Sequence, residues 1–230
     1  MSARSFTSSG TSRIAFAIGA STFTGDMTIM AITRRTTNAI LHVVFYVGTA
    51  TSGAARIQYA IDGSNNHNLR LGASTQALGT LTVADGWACH GVTRTAGTTT
   101  PRFHRYIYSS NTWAHGNAPG TLGDPTTPST TCYIGDWSSG GDAWGGDIQM
   151  VGYWNAVLTD VQIENLAFDL SAWYQVPPKG LWILDQETTS QSVPDTSGNG
   201  SNQSGIVTTG MGISAVSTPI WTPGQAVIAS

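Results

Sequence analysis

The chain has 230 residues, of which 10 are lysine or arginine and 13 are aspartate or glutamate, giving a formal net charge of −3. Hydrophobic residues make up 40% of it, which is enough for a buried core and excludes a disordered chain. The few cations form no basic stripe, so we expect no nucleic acid partner. No apolar run reaches about 18 residues, so we also expect no membrane-spanning segment.

The N-terminal segment 1–13, MSARSFTSSGTSR, is polar and lacks the apolar centre of a signal peptide. We therefore expect synthesis in a cytoplasm and interpret this segment as a polar arm. The C-terminal segment 215–230 is interrupted by prolines and is predicted to be an extended tail. Such ends can order on a neighbouring subunit.

Alternation of apolar and polar residues dominates the following chain. In ARIQYAID, Ala55, Ile57, Tyr59 and Ile61 share one face, which predicts a half-buried strand. MTIMAITRR and RFHRYIYS alternate in the same way, whereas LHVVFYVG is apolar on both faces and is typical of a strand covered on both sides. Clusters of Gly, Asn, Ser, Thr and Pro separate these runs. The pattern indicates an all-β, antiparallel sandwich or jelly roll.

One short helix is predicted after these strands. Thr159 and Gln162 form a capping-box pattern at its start. Ile163, Leu166 and Leu170 then follow at helical spacing and give one apolar stripe. Two prolines after Val176 stop the helix.

An ordered set of residues in two consecutive runs resembles the central hairpin and closing run of laminin-G-like, concanavalin-A-type lectin jelly rolls. The set comprises Trp87, Val92, Thr93, Arg94, Gly97, Tyr106, Ile134, Gly135, Trp144, Gly145, Asp147, Ile148, Tyr153, Val157, Leu158, Thr159 and Ile163. The resemblance implies a single β-sandwich jelly roll, here over 14–214, with one short helix. In that family the strand like LWILD and the turn like PDTSGNG come first. Here they follow the helix, so we expect the 180–210 hairpin to complete the sheet.

This offset order resembles bacteriophage structural proteins and implies a role in the virion. The resemblance favours a non-enzymatic capsid decoration protein of a tailed phage, with a tail or fibre accessory protein as the second choice. Its partners would be the major capsid or tail protein and further copies of itself in a symmetric oligomer. Its location would be the virion surface, after synthesis in the host cytoplasm. Ile220 and Trp221, in the tail, are the predicted assembly anchor.

Catalysis is not expected, although jelly rolls of this type include glycanases. A glycosidase needs two carboxylates that flank a cleft. The only glutamates are Glu164, on the predicted helix, and Glu187, in a turn, while Asp147 stands alone on its strand. The histidines lack metal-ligand spacing and are expected to be structural: His42, His67, His90, His104 and His115.

The alternative function is that of a carbohydrate-binding module or tail-fibre adhesin. Aromatic side chains in polar loops are suited to stack on sugars. Trp137 lies in a glycine-rich loop and Trp113 near a hairpin turn, with Asp136 and Asn111 as neighbouring hydrogen-bonding groups. These four residues are the candidate glycan site.

No cofactor is required by these interpretations, but calcium is a weaker candidate. Asp195 with Asn199, and Asp136 with Asp142, offer loop oxygens that suit this ion. The competing interpretation is that these side chains only hydrogen-bond within their own turns.

The two cysteines, Cys89 and Cys132, are expected to be reduced and buried. A disulfide is the alternative, and it would require the two strands to be neighbours.

Overall fold

The computed structural model describes residues 3–7, 13–17, 25–38, 40–48, 56–125, 131–137, 142–184, 192–193, 196–197, 205–207 and 212–214. In chain order the strands are β1 (Ala3–Phe6), β2 (Ile14–Ala17), β3 (Met27–Arg35), β4 (His42–Val47), β5 (Ile57–Ile61), β6 (Asn66–Leu71), β7 (Ser74–Thr80), β8 (Trp87–Arg94), β9 (Arg102–Ile107), β10 (Thr112–Asn117), β11 (Thr131–Ile134), β12 (Gly146–Trp154), β13 (Gly180–Ile183), β14 (Ser192–Val193), β15 (Gly205–Val207) and β16 (Gly212–Ser214). The helices are α1 (Asp160–Leu166) and α2 (Ala172–Gln175), and Val83–Asp85 is a 3₁₀ turn.

The strands form two antiparallel sheets. Sheet A has the order β10-β9-β8-β3-β12-β1-β16, and sheet B has the order β14-β15-β2-β11-β4-β5-β6-β7. β13 also belongs to sheet A, where it pairs with the second half of β12 while β1 pairs with the first half. This arrangement confirms the predicted all-β, antiparallel sandwich of the jelly-roll type.

The ends of the chain differ from the expectation. Residues 3–6, placed in the polar arm, form β1, and Ala3 and Phe6 are buried. Segment 180–210, expected to be one hairpin, divides between the sheets: β13 joins sheet A, whereas β14 and β15 extend sheet B. The physical reason is that short β1 leaves half of the β12 edge unpaired, and β13 supplies the missing hydrogen bonds.

The main core lies between the sheets. Alternate side chains of both sheets point inward, and Phe45 of β4 stacks on Tyr153 of β12 with ring centres 5.8 Å apart. All six residues of β4 are buried, as expected for a strand covered on both sides. Cys89 and Cys132 are both buried and free, which confirms reduced thiols and excludes the disulfide.

A buried polar network crosses this core. The Tyr59 hydroxyl of sheet B lies 2.7 Å from Nδ1 of His90 in sheet A and 2.8 Å from Nδ1 of His67. The other ring nitrogen of His90 lies 2.8 Å from the Thr33 hydroxyl. Because one phenol joins both sheets, these hydrogen bonds fix their relative position.

The helices cover the outer face of sheet A. Thr159 caps α1 with the predicted box: its hydroxyl accepts from the Gln162 amide, and the Gln162 side chain accepts from the Thr159 amide. The helix ends at Leu166, and the short helix α2 follows before the prolines. Fully buried Trp173 of α2 packs on Trp154 of sheet A at 5.6 Å between ring centres. Neither helix in the described residues has the length and apolar character needed to cross a membrane.

Candidate functional site

Trp137 follows β11 and lies on the outer face of sheet B. Its ring centre is 6.3 Å from that of Tyr46, which is 6.1 Å from that of Tyr133. Arg13 donates to the Trp137 carbonyl oxygen at 2.8 Å, and its guanidinium carbon lies 5.3 Å from the centre of the Tyr133 ring. Trp137, Tyr133 and Arg13 are half-buried. Trp137, Tyr133 and Arg13 therefore form a partly exposed surface around the Tyr46 ring, which is itself fully buried.

Strand register extends this surface across the sheet. Tyr133 pairs with Tyr46, Tyr46 with Gln58, and Gln58 with Arg70. Directly opposite residues share one face, so these side chains form a row over four strands. Burial raises the pKa of Tyr46, and the positive charges of Arg56 and Arg70 oppose that rise. We define the sheet B platform as Arg13, Tyr46, Arg56, Gln58, Arg70, Tyr133 and Trp137.

Nε1 of Trp137 and Nε of Arg70, both on the sheet B platform, are buried and have no hydrogen-bond partner within the described residues. Buried polar groups are nearly always paired, and each exception calls for a ligand, a water molecule or a functional explanation. On the outer face of sheet B, two buried donors are thus left unused by the described protein atoms.

Asp136, directly before Trp137, forms hydrogen bonds within the loop. Its side chain is fully buried, and its Oδ1 accepts from the Trp137 amide at 2.8 Å. The amide of Asp142 also donates to this carboxylate. Burial raises the pKa of Asp136 to about 6, although both amides favour the ionised form. Its Oδ2 has no partner among the described residues. Asp136 therefore supports Trp137 from below.

The calcium candidates are brought together only in part. Asp136 and Asp142 meet across the loop, but through a backbone amide of one and the carboxylate of the other. Burial also raises the pKa of Asp142. Asp195 and Asn199 lie outside the described residues. The contacts of Asp136 fit the alternative in which these side chains hydrogen-bond their own loop.

Trp113 and Asn111 lie on the other sheet, so the four candidate glycan residues do not form one site. Trp113 of β10 stacks on His115 at 5.2 Å and packs against Tyr106 at 5.2 Å between ring centres. Its Nε1 also lacks a partner in the part of the chain described. Asn111 has a positive φ of 52° in the hairpin turn and accepts from the Tyr106 hydroxyl. These contacts hold the β9–β10 hairpin.

A cluster that the spacing of the histidines did not predict lies beside Trp113. His104 of β9 and His115 of β10 are cross-strand partners, with their Nδ1 atoms 2.8 Å apart. From α1, Asp160 lies 3.8 Å from His104 Nδ1, and Glu164 contacts Nε2 of His115 at 3.1 Å. A signal was present: residues 104 and 115 lie at equal distances from the turn of the hairpin that they flank. That α1 lies beside these histidines could be seen only in the tertiary structure.

Of the remaining candidates, the structure describes two carboxylates, and each contacts a basic side chain. Asp147 is buried and pairs with Arg34 at 2.5 Å, and Glu164 binds His115 at 3.1 Å on the outside of sheet A. Glu187, Ile220 and Trp221 lie outside the described residues.

Comparison by sequence finds no matching family model and no matching curated protein. Comparison of structures finds a proposed carbohydrate-binding protein from Bacteroides ovatus, with 16% identity, a TM-score of 0.64, and coverage of 96% of this chain and 61% of the other. The chain thus spans about three fifths of that protein.

Two further structures are less similar. A heptameric SAP-like pentraxin from Limulus polyphemus has 15% identity, a TM-score of 0.49, and coverage of 72% of this chain and 81% of its own. Tailspike protein 2 of an Escherichia coli O157:H7 bacteriophage has 19% identity, a TM-score of 0.46, and coverage of 72% and 25%. At such identities the likeness of the Bacteroides protein supports the lectin-like sandwich fold alone.

Proposed function

We propose that this chain is a carbohydrate-binding module that holds saccharides on the sheet B platform. One observation carries the proposal: aromatic rings and unpaired polar donors share the outer face of sheet B. A sugar ring offers an apolar C–H face and a rim of hydroxyl groups. Half-buried aromatic rings suit the first, and the Trp137 and Arg70 N–H groups suit the second.

Arginine content makes the proposal more specific. Arg13 and Arg70 of the sheet B platform are half-buried, whereas Arg56 is buried and donates to the Gly72 carbonyl at 3.2 Å. Guanidinium groups recognise carboxylates through charge-assisted, often bidentate hydrogen bonds. We therefore propose a preference for saccharides that carry a carboxylate over neutral ones of the same size.

The test is a binding screen of the whole chain against neutral and carboxylate-bearing oligosaccharides, in the presence of a chelator. Trp137→Ala should weaken binding at least about tenfold, which corresponds to about 1.4 kcal/mol. Trp113→Ala is the matched control, because Trp113 is also half-buried and also has an unpaired Nε1 but lies on sheet A. It should leave the affinity unchanged.

The arginines have their own variant pair. Arg70→Met should abolish the preference for the acidic sugars, whereas Arg105→Met, in a strand of sheet A, should keep it. If no saccharide binds, the proposal fails. If Trp113→Ala loses affinity and Trp137→Ala does not, the sheet B platform is the wrong surface.

The biological setting is a separate part of the proposal and rests on the family resemblance. We propose a non-enzymatic role on the surface of a tailed-phage virion, on the head first and on the tail or fibre second. Immunogold labelling of particles from the source culture tests it. Label on heads or tail tips would support one of these positions, and unlabelled particles would contradict both.

A further inference from the structure

The cluster on the outer face of sheet A brings ligand atoms of three side chains together. In the part of the chain that the structure describes, His104, His115 and Asp160 each direct one such atom to a common point, all within 4.8 Å of one another. The Nδ1 atoms of the histidines are 2.8 Å apart, and Asp160 Oδ1 is 3.8 Å from His104 Nδ1. Three elements, β9, β10 and α1, supply these groups.

The outer nitrogen of each imidazole already has a partner. Nε2 of His104 lies 2.9 Å from the Thr93 hydroxyl, and Nε2 of His115 lies 3.1 Å from Glu164 Oε1. In metal sites a ligating histidine binds through one nitrogen while a carboxylate or another polar group holds the other. Both rings here have that arrangement, with both Nδ1 atoms turned inward.

Neighbouring side chains fix the positions of the histidines and Asp160 but leave a path for an ion from solvent. Trp113 stacks on the His115 ring at 9° between planes, and Arg102 donates to both oxygens of Asp160, at 3.0 and 2.6 Å. His104 is buried, but the Asp160 side chain is 42% exposed, so an ion can enter from solvent. Each carboxylate oxygen accepting from Arg102 retains a second lone pair.

We propose that His104 Nδ1, His115 Nδ1 and Asp160 Oδ1 bind one divalent ion of the zinc class, with water in the fourth position. Two imidazoles and a carboxylate suit zinc and its neighbours, whereas calcium and magnesium prefer oxygen ligands alone. Zinc–nitrogen bonds of about 2.0–2.1 Å require the two Nδ1 atoms to separate by about 0.5 Å. β10 is an edge strand of sheet A, so it can move this far.

Binding of the ion leaves the number of protons on the two imidazoles unchanged. In the ion-free protein one Nδ1–H donates to the other Nδ1, and that proton occupies the position of the ion. When the ion binds, this imidazole changes tautomer: it loses the Nδ1 proton to water and takes one at Nε2. Both Nε2–H groups then donate, to Thr93 and to Glu164. No net proton is released.

The experiment uses the full chain, freed of metal with a chelator and titrated calorimetrically with Zn²⁺, then with Ca²⁺ and Mg²⁺. Co²⁺ serves as a spectroscopic probe, because four-coordinate Co²⁺ with nitrogen ligands absorbs in the visible range. We expect one Zn²⁺ per chain, a raised melting temperature, and no saturable binding of Ca²⁺ or Mg²⁺.

Two variants and a control decide the ligands. His115→Ala and Asp160→Asn should each weaken Zn²⁺ binding more than about 100-fold, beyond the range seen for outer partners of metal ligands. Asp169→Asn removes an exposed acid of the same helical region and should bind Zn²⁺ normally. Asp160→Asn keeps the shape of the side chain, so it decides alone if His115→Ala fails to fold.

Three results would overturn the proposal: no heat with Zn²⁺ and no Co²⁺ spectrum, normal Zn²⁺ binding by a folded Asp160→Asn, or equal binding of Ca²⁺. The saccharide screen is run with chelator and concerns the other sheet. Failure of one proposal therefore leaves the other standing.

Discussion

The outer faces of the two sheets differ in how their side chains are packed and hydrogen-bonded. Sheet A is covered by its own chain: α1 and α2 bury an apolar layer that includes Trp154 and Trp173. Its cluster of charged and imidazole side chains is internally paired, although Nε1 of the neighbouring Trp113 lacks a partner among the described residues. Sheet B carries aromatic and arginine side chains, and its buried Trp137 and Arg70 donors lack described partners.

The comparison separates stability from recognition. A face whose apolar groups are packed and whose polar groups are paired contributes to the free energy of unfolding. A face whose donors are unpaired has already lost their hydration, and a ligand can recover that loss. We therefore expect substitutions on sheet A to alter stability and substitutions on the sheet B platform to alter binding.

The largest expected effect compares two tryptophans. Trp173→Ala should lower the free energy of unfolding by about 3–5 kcal/mol, because the ring is fully buried and its Nε1 donates to the Leu166 carbonyl at 2.9 Å. Trp137→Ala should cost about 1 kcal/mol, because its ring is half-buried. Urea unfolding measures both, and equal costs would contradict the comparison.

Acid should weaken the core that the two faces share. Burial, and then the charge of Arg35, lower the pKa of His42 to about 4 and that of His90 to about 3. The folded state therefore binds fewer protons than the unfolded state, so stability is complete above about pH 6.5 and falls below it. At pH 5 each of these two histidines should have lowered the free energy of unfolding by about 2 kcal/mol.

His42→Gln provides the matched comparison. The Gly145 amide donates to His42 Nδ1 at 2.9 Å, a shorter contact than the 3.2 Å from the same atom to the Ala143 carbonyl oxygen. A glutamine side-chain oxygen can accept from Gly145 in its place. Denaturant unfolding at pH 7 and pH 5 should show a loss smaller by about 2 kcal/mol in the variant. An identical loss would show that His42 does not titrate as its surroundings indicate.

An effect of opposite sign comes from the loop beside the sheet B platform. Burial raises the pKa of Asp136 to about 6, above the unfolded value, so the folded state binds the extra proton. Its contribution to stability is full below about pH 4 and is lost as the pH rises through 6. Asp136→Asn should therefore stabilise the protein at pH 7, by at most about 3 kcal/mol.

The control for Asp136→Asn is Asp169→Asn, since Asp169 is exposed. Its melting temperature at pH 7 should match that of the original chain. If Asp136→Asn also melts unchanged at pH 7, the carboxylate is not destabilised by burial, and the loop is better hydrated than its contacts indicate.

Local patterns predicted much of the fold. Period-two alternation identified β3, β5 and β9, and the capping box fixed the start of α1. These features depend on neighbours in sequence, so they are visible without a structure. The N-terminal strand β1 was missed, because four residues in a polar segment carry no clear period.

The candidate site was predicted less completely. Trp137 and Asp136 were identified as loop residues and do lie together, but Trp113 and Asn111 belong to the opposite sheet. The arginines and Tyr46 of the sheet B platform were missed. They come from strands far apart in sequence, and only their register places them in one row.

By itself, the sequence determined the class of structure, an antiparallel β-sandwich with a capped helix, since alternation, turn residues and caps act over a few residues. The tertiary structure decided which strands are neighbours, which face of sheet A the helices cover, and which side chains meet. Contacts such as Tyr46 with Trp137, or His104 with His115 and Asp160, depend on sheet order and helix position. Sheet order and helix position depend in turn on the whole chain, because each sheet must bury its apolar face against other elements of the fold.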